Sequence, residues 1–184
     1  SDAAGWRNTA PMTTFRHALT CVAGPNGAPH IYAIGGWVDG SVSSGHNERY
    51  CTETDTWTML APLPTPRRLL GAATAGGNIY VFGGNREEKD EWYTTAAESY
   101  SITEDRWEAI APLPVCGAAS AAAVDDASVF VFIHGEKVVR YSIASNTYVT
   151  VCDKLPLDGW YTFDSKPAGK RSIIVAGGAI NGKS

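Results

Sequence analysis

The chain has 184 residues, 44% hydrophobic and 18% charged, with six Trp and eight Tyr. This is core material for one or two ordinary domains and excludes a disordered chain. A formal net charge of -4 argues against nucleic acid as a partner, since phosphate binders show a basic patch or stripe, and no apolar run approaches the roughly 20 residues that span a bilayer.

The first residues, Ser1-Asp2-Ala3-Ala4-Gly5-Trp6, have neither the basic nor the apolar region of a secretion signal. They also lack an initiator Met, as expected of a processed chain or a piece of a longer one. The expected compartment is the cytosol, or the nucleus, where thiols stay reduced. The four cysteines (Cys21, Cys51, Cys116, Cys152) form no CxxC pair, and His17, His30, His46 and His134 supply no close-spaced ligands. No metal and no cofactor is therefore expected, and the thiols are expected to be buried as small hydrophobes.

Trp6 opens the first predicted element, an outer strand over 5–10. Five residues later stands Pro11-Met12, then Arg16. The phrase returns as Trp57, Pro62-Leu63-Pro64 and Arg67, and again as Trp107 and Pro112-Leu113-Pro114, with Gly117 where Arg would fall. Proline ends each Trp-bearing strand, because it cannot donate to a sheet ladder.

Each Pro phrase leads into a small-residue run: 18–23, 71–75 and 117–124. Alanine favours helix on propensity. These runs are short, bounded by Gly or Pro and fixed in place within a strand-rich repeat, so they predict inner strands in a crowded centre. A turn such as Ala75-Gly76-Gly77-Asn78 follows. Next comes an apolar strand ending on glycines: Ile31-Tyr32-Ala33-Ile34-Gly35-Gly36, Ile79-Tyr80-Val81-Phe82-Gly83-Gly84 and, last, Ile173-Ile174-Val175-Ala176-Gly177-Gly178. In the third unit His134-Gly135 replaces the pair. Glycines here allow positive φ and close backbone approach. A variable loop then precedes a strand bearing Tyr50, Tyr100 or Tyr141, and seven residues after each Tyr lies an aromatic: Trp57, Trp107 and Tyr148. Each unit is thus predicted to be four antiparallel strands.

Trp57 and Trp107 are 50 residues apart. The double glycine, the Glu-x-Tyr, the Trp seven residues on and the Pro-x-Pro-x-x-Arg phrase resemble the kelch motif, whose period is about 50 residues. The resemblance covers about the whole of 1–184 and is strongest in the first two units. It implies an all-β fold of kelch β-propeller blades, four antiparallel strands each. The approximate units are 17–60, 68–111, 117–151 and a partial 160–184, with 5–10 as the outer strand of a preceding or shared blade. Three full blades plus end strands imply a partial propeller, completed by another chain or a missing segment, since open sheet edges are avoided.

The repeated Gly35, Gly36, Tyr50, Trp57, Arg67, Gly83, Gly84, Tyr100 and Trp107 read as structural. Arg16 and Arg67 are expected to pair with Glu48 and Glu98 or to hold backbone carbonyls between blades. Binding candidates lie on the two loops after the double glycines: Trp37, Asp39 and His46 on the first, and Asn85, Arg86, Glu88, Lys89, Trp92 and Tyr93 on the second. Aromatic and Arg side chains on an exposed loop are interface anchors; the competing reading is a solvated loop with Trp92 folded back onto the blade. No Gly-x-Ser-x-Gly, GxGxxG or Tyr-His dipeptide is present, so no catalytic residue is assigned. The reading is a non-catalytic module for a protein partner. The kelch resemblance implies substrate recognition in a ubiquitin-ligase adaptor as one role, with a sugar-oxidising or sugar-isomerising enzyme and a structural subunit as alternatives. The adaptors' pocket Arg, two positions beyond the Arg of the Pro phrase, is replaced here by Ala18 and Leu69.

Overall fold

The computed structural model describes residues 5, 8–38, 42–88, 91–135, 137–153, 163–167 and 173–177. Among them every regular element is a strand, apart from one turn of 3-10 helix at Pro25–Gly27. The chain enters through β1 (Arg16–His17), β2 (Thr20–Ala23) and β3 (His30–Ile34). A small hairpin, β4 (Trp37–Val38) and β5 (Val42–Ser43), precedes β6 (Asn47–Cys51) and β7 (Thr56–Met59). The second unit is β8 (Gly71–Ala75), β9 (Asn78–Phe82), the hairpin β10 (Asn85–Glu88) and β11 (Glu91–Tyr93), then β12 (Ala97–Ser101) and β13 (Arg106–Ala109). The third is β14 (Ala119–Ala123), β15 (Ser128–Ile133), β16 (Val138–Ser142) and β17 (Thr147–Cys152). β18 (Phe163–Pro167) and β19 (Ile173–Gly177) follow as a two-stranded pair.

Three antiparallel four-stranded sheets result, ordered β2-β3-β6-β7, β8-β9-β12-β13 and β14-β15-β16-β17. The register repeats: Ile31 faces Tyr50, Ile79 faces Tyr100 and Val129 faces Tyr141. The cores lie between sheets. One joins Tyr32, Ile34 and Leu63 to Leu70, Ile79 and Tyr100; the next joins Tyr80, Phe82 and Leu113 to Val129, Ile133 and Tyr141. The Leu of each Pro-Leu-Pro phrase is a buried plug, Leu63 at 2% and Leu113 at 3% exposure. The alanine runs are inner strands for a steric reason: a Cβ on Gly71 would lie 2.8 Å from the backbone of Ser120 in the next sheet, so only small residues fit where β8 and β14 converge. β2, β8 and β14 also line a central cavity of about 400 Å³.

The buried-thiol expectation is overturned. Cys21, Cys116 and Cys152 are exposed and Cys51 is half-buried. Cys21 has the register position of Ala72 and Ala121, which are buried between sheets. On the first sheet that side is not covered by another described sheet, and Ile31 is 37% exposed where Ile79 and Val129 are at 0%.

One latch is used three times, twice between neighbouring sheets and once between the first sheet and the segment that precedes it. The paired aromatics Tyr50–Trp57, Tyr100–Trp107 and Tyr141–Tyr148 have ring centroids 5.1, 5.0 and 5.2 Å apart. Each first Tyr donates its hydroxyl to a turn residue five positions on: Asp55, Asp105 or Asn146, at 2.6, 2.5 and 2.9 Å. That same side-chain oxygen accepts the N–H of Ala10, Ala61 or Ala111 at 2.8 Å. The carbonyl of each of these alanines accepts Trp57 Nε1, Trp107 Nε1 or the Tyr148 hydroxyl, at 2.8, 2.8 and 2.7 Å. The residue before each proline is thereby held on both polar groups by the next sheet.

The second latch is expected to be acid-sensitive. The Tyr100 hydroxyl and then the Ala61 N–H hold the Asp105 carboxyl below the usual carboxylate range. A depressed folded pKa contributes stability above the unfolded value, and that stability is lost as pH falls through the folded value. Asp105→Asn is expected to keep the latch, as Asn146 does, and to flatten part of the acid-side fall in melting temperature between neutral pH and about pH 3. Identical acid slopes for both proteins would sink this.

Candidate functional site

The candidate site is the surface carried by the two hairpins that follow the glycine pairs. Gly35 and Gly36 have φ of 67° and 108°, and Gly83 and Gly84 have 58° and 108°. Side chains there would collide with backbone: a Cβ on Gly83 lies 2.6 Å from Gly117 O, and one on Gly84 lies 2.6 Å from Arg68 O. The left-handed pair swings the chain out of the sheet into β4–β5 or β10–β11 before it returns. In the third sheet the expected glycine positions shift by one. Ile133 N–H bonds Lys137 O as Gly83 N–H bonds Ala96 O. Ile133 and His134 therefore fill the two places, neither with positive φ, and Gly135 lies beyond them. No hairpin forms among the described residues there, and burial lowers the pKa of His134 to about 4, leaving it neutral.

Beneath each hairpin sits a buried ion pair. Arg16 bonds Glu48 and the Ala33 carbonyl at 2.9 Å, while Glu48 also accepts the N–H and hydroxyl of Thr13. Burial pushes the Glu48 carboxyl up, but the Thr13 and Arg16 bonds outweigh it and hold it low. Arg67, fully buried, bonds Glu98 and donates to Gly83 O at 2.7 Å and Thr65 O at 2.8 Å. The expected ion pairs are present, but the sheet carbonyls that these arginines hold, Ala33 O and Gly83 O, belong to the same sheet as the paired Glu and not to a neighbouring blade. In the third sheet both charges are absent: Gly117 follows Leu113 where Arg67 follows Leu63, and Val139 faces Val131 where Glu98 faces Val81. A Cβ on Gly117 would meet Ile133 at 2.6 Å, so an isoleucine fills the space of the guanidinium.

The two hairpins form one surface. β1 pairs with β4, His17 opposite Trp37, and the His17 ring stacks on Trp37 at 5.7 Å. The Arg68 guanidinium lies 3.4 Å from the centroid of the same indole, a cation–π contact. Arg68 exchanges backbone bonds with Asn85 at 3.0 and 2.7 Å, and Ser43 Oγ donates to Asn85 O at 3.2 Å.

Of the candidate residues, Trp92 is 62% exposed, not folded onto the sheet, and Tyr93, Arg86, Trp37 and His46 are half-buried. Asn85, 3% exposed, is the hairpin root. Glu88 ends β10, while Asp39 and Lys89 lie outside the described residues. Val42, at 67% exposure, joins this surface and carried no sequence signal. Ala18 and Leu69 have positive φ and are joined by a 2.9 Å backbone bond, so they link neighbouring units. His46 Nδ1 lies 2.7 Å from Ser44 Oγ. Ser44 is buried, and Thr94 makes the same turn with Ala96 in the next unit, so the pair is turn geometry and not a nucleophile with its base. Among the described residues no group of three or more His, Cys, Asp or Glu could hold a metal ion, and no helix is long and apolar enough to cross a membrane.

Four-stranded antiparallel sheets packed face to face around small-residue inner strands are propeller blades. The family model described as the Kelch motif matches residues 20–64 and 66–114, and the chain belongs to the kelch-repeat family. It is 40% identical over 79 residues to Kelch repeat and BTB domain-containing protein 2 of Pongo abelii, covering 41% of this chain and 12% of that protein. It is 51% identical over 37 residues to Kelch-like protein 1 of Mus musculus, covering 20% and 5%. An F-box/kelch-repeat protein of Arabidopsis thaliana is 41% identical over 81 residues, covering 43% and 20%. The chain thus spans at most a fifth of these relatives.

Proposed function

We propose that this chain is a non-catalytic interaction module whose blade face, built from β4–β5 and β10–β11, docks a protein partner. The observation that carries the reading is Trp92, 62% exposed on a hairpin whose root is fixed by paired backbone bonds. A large aromatic on a rigid support binds with little ordering cost. The kelch relatives, which carry BTB and F-box in their names, support an interaction role in a larger protein.

The test is recovery of bound proteins by the chain and by its Trp92→Ala/Tyr93→Ala variant, with Val149→Ser on the outer strand as control. Loss of about tenfold or more at the face and none at the control is expected for hot-spot residues. Unaltered recovery by the face variant removes the hairpin from the site. The finer reading, substrate recognition within a ubiquitin-ligase adaptor, rests on the kelch resemblance alone. It requires that ubiquitination of the recovered partner fall with the same two substitutions.

A further inference from the structure

Across the three four-stranded sheets, four features occur together or not at all. The first two blades have the buried Arg, the buried Glu, the left-handed glycine pair and the face hairpin. The third has Gly117, Val139, Ile133-His134 and no hairpin among its described residues. Bond geometry supplies the connection. Arg67 Nε holds the carbonyl of Gly83, where the chain leaves the sheet. The next residue, Arg68, exchanges two backbone bonds with Asn85, the first residue of β10. The guanidinium thus holds the carbonyl from which the chain leaves the sheet and, through Glu98, the strand to which it returns, while the adjacent backbone holds the first residue of β10.

We infer that the buried Arg67–Glu98 pair is the positioning device of the β10–β11 hairpin and of the Trp92 it presents. The inference matters for binding only if this face docks a partner, as proposed above, but its test needs no partner. Buried ion pairs exchange for apolar residues with little change in stability, so stability alone does not explain the pair. A positioning role does, since the third blade lacks the pair and, among its described residues, the hairpin together.

The experiment is native-state hydrogen exchange at the Asn85 and Thr94 amides, which bond Arg68 O at 2.7 Å and Gly84 O at 2.9 Å at the two ends of the hairpin, with thermal melting of the same samples. In Arg67→Met/Glu98→Val the melting temperature should stay close to wild type while protection at these two amides falls about tenfold or more. Amides of β14 and β15 should be unaffected. Arg67→Lys, which keeps the charge but loses the Nε donor to Gly83, should show the same local loss if the double variant does not fold. Wild-type protection at these amides in either folded variant would overturn the inference. So would loss of protection spread evenly over the sheet. Partner recovery unchanged in a variant with a loosened hairpin would count against the docking face instead.

Discussion

Arg67→Ala should lower the melting temperature by on the order of 10 °C, read by circular dichroism at neutral pH. The side chain is fully buried, and its removal deletes the bonds to Gly83 O and Thr65 O. Glu98, 4% exposed, is left with the Thr65 hydroxyl at 2.9 Å as its remaining side-chain partner of those described. Breaking one half of a buried pair costs about 3–5 kcal/mol, because a charge stays in a poorly solvating place. That figure is the penalty of stranding Glu98, not the net value of the pair, which is why removing both charges should be far milder. Melting unchanged by Arg67→Ala would sink this account.

Trp107→Ala should cost about 3 kcal/mol, toward the lower end of large aromatic truncations because the indole is half-buried. It loses the tilted ring contact with Tyr100 and the 2.8 Å bond to the Ala61 carbonyl, so the contact between the first two blades should loosen first. Trp107→Tyr should cost only about 1 kcal/mol. The third blade already uses Tyr148 in this place, with its hydroxyl 2.7 Å from Ala111 O. Equal losses for the alanine and tyrosine variants in a denaturant titration would show that the ring's latch role is misassigned.

Much of this architecture is legible in the sequence because a repeat states its register several times. Tyr50 and Trp57, Tyr100 and Trp107, and Tyr141 and Tyr148 sit seven residues apart, and that spacing across a tight turn puts them opposite each other. Asp55, Asp105 and Asn146 stand five residues after each Tyr, so the latch was within reach of the same comparison. In the unit strands they read only as turn formers, because their second bond goes to the neighbouring blade. Val139 in the place of Glu98 was equally open to comparison, but only strand register shows that it lies at the end of the same polar line as Gly117.

The sequence by itself determined the four strands of each described blade, their order, the kelch resemblance and the two stretches that leave the sheet, which read as loops and fold as hairpins; the outer strand expected over 5–10 is irregular at 8–10, with 6–7 outside the described residues. These depend on local chemistry: proline and glycine placement, turn residues and alternation along a strand. Tertiary structure decided which sides are covered. It exposed Cys21 and Ile31 on an open blade side, joined β4–β5 to β10–β11 through Trp37, Arg68 and Asn85, and left Trp92 outward. Burial and exposure of this kind depend on packing between blades about 50 residues apart in sequence, and no local pattern specifies which neighbour will be there.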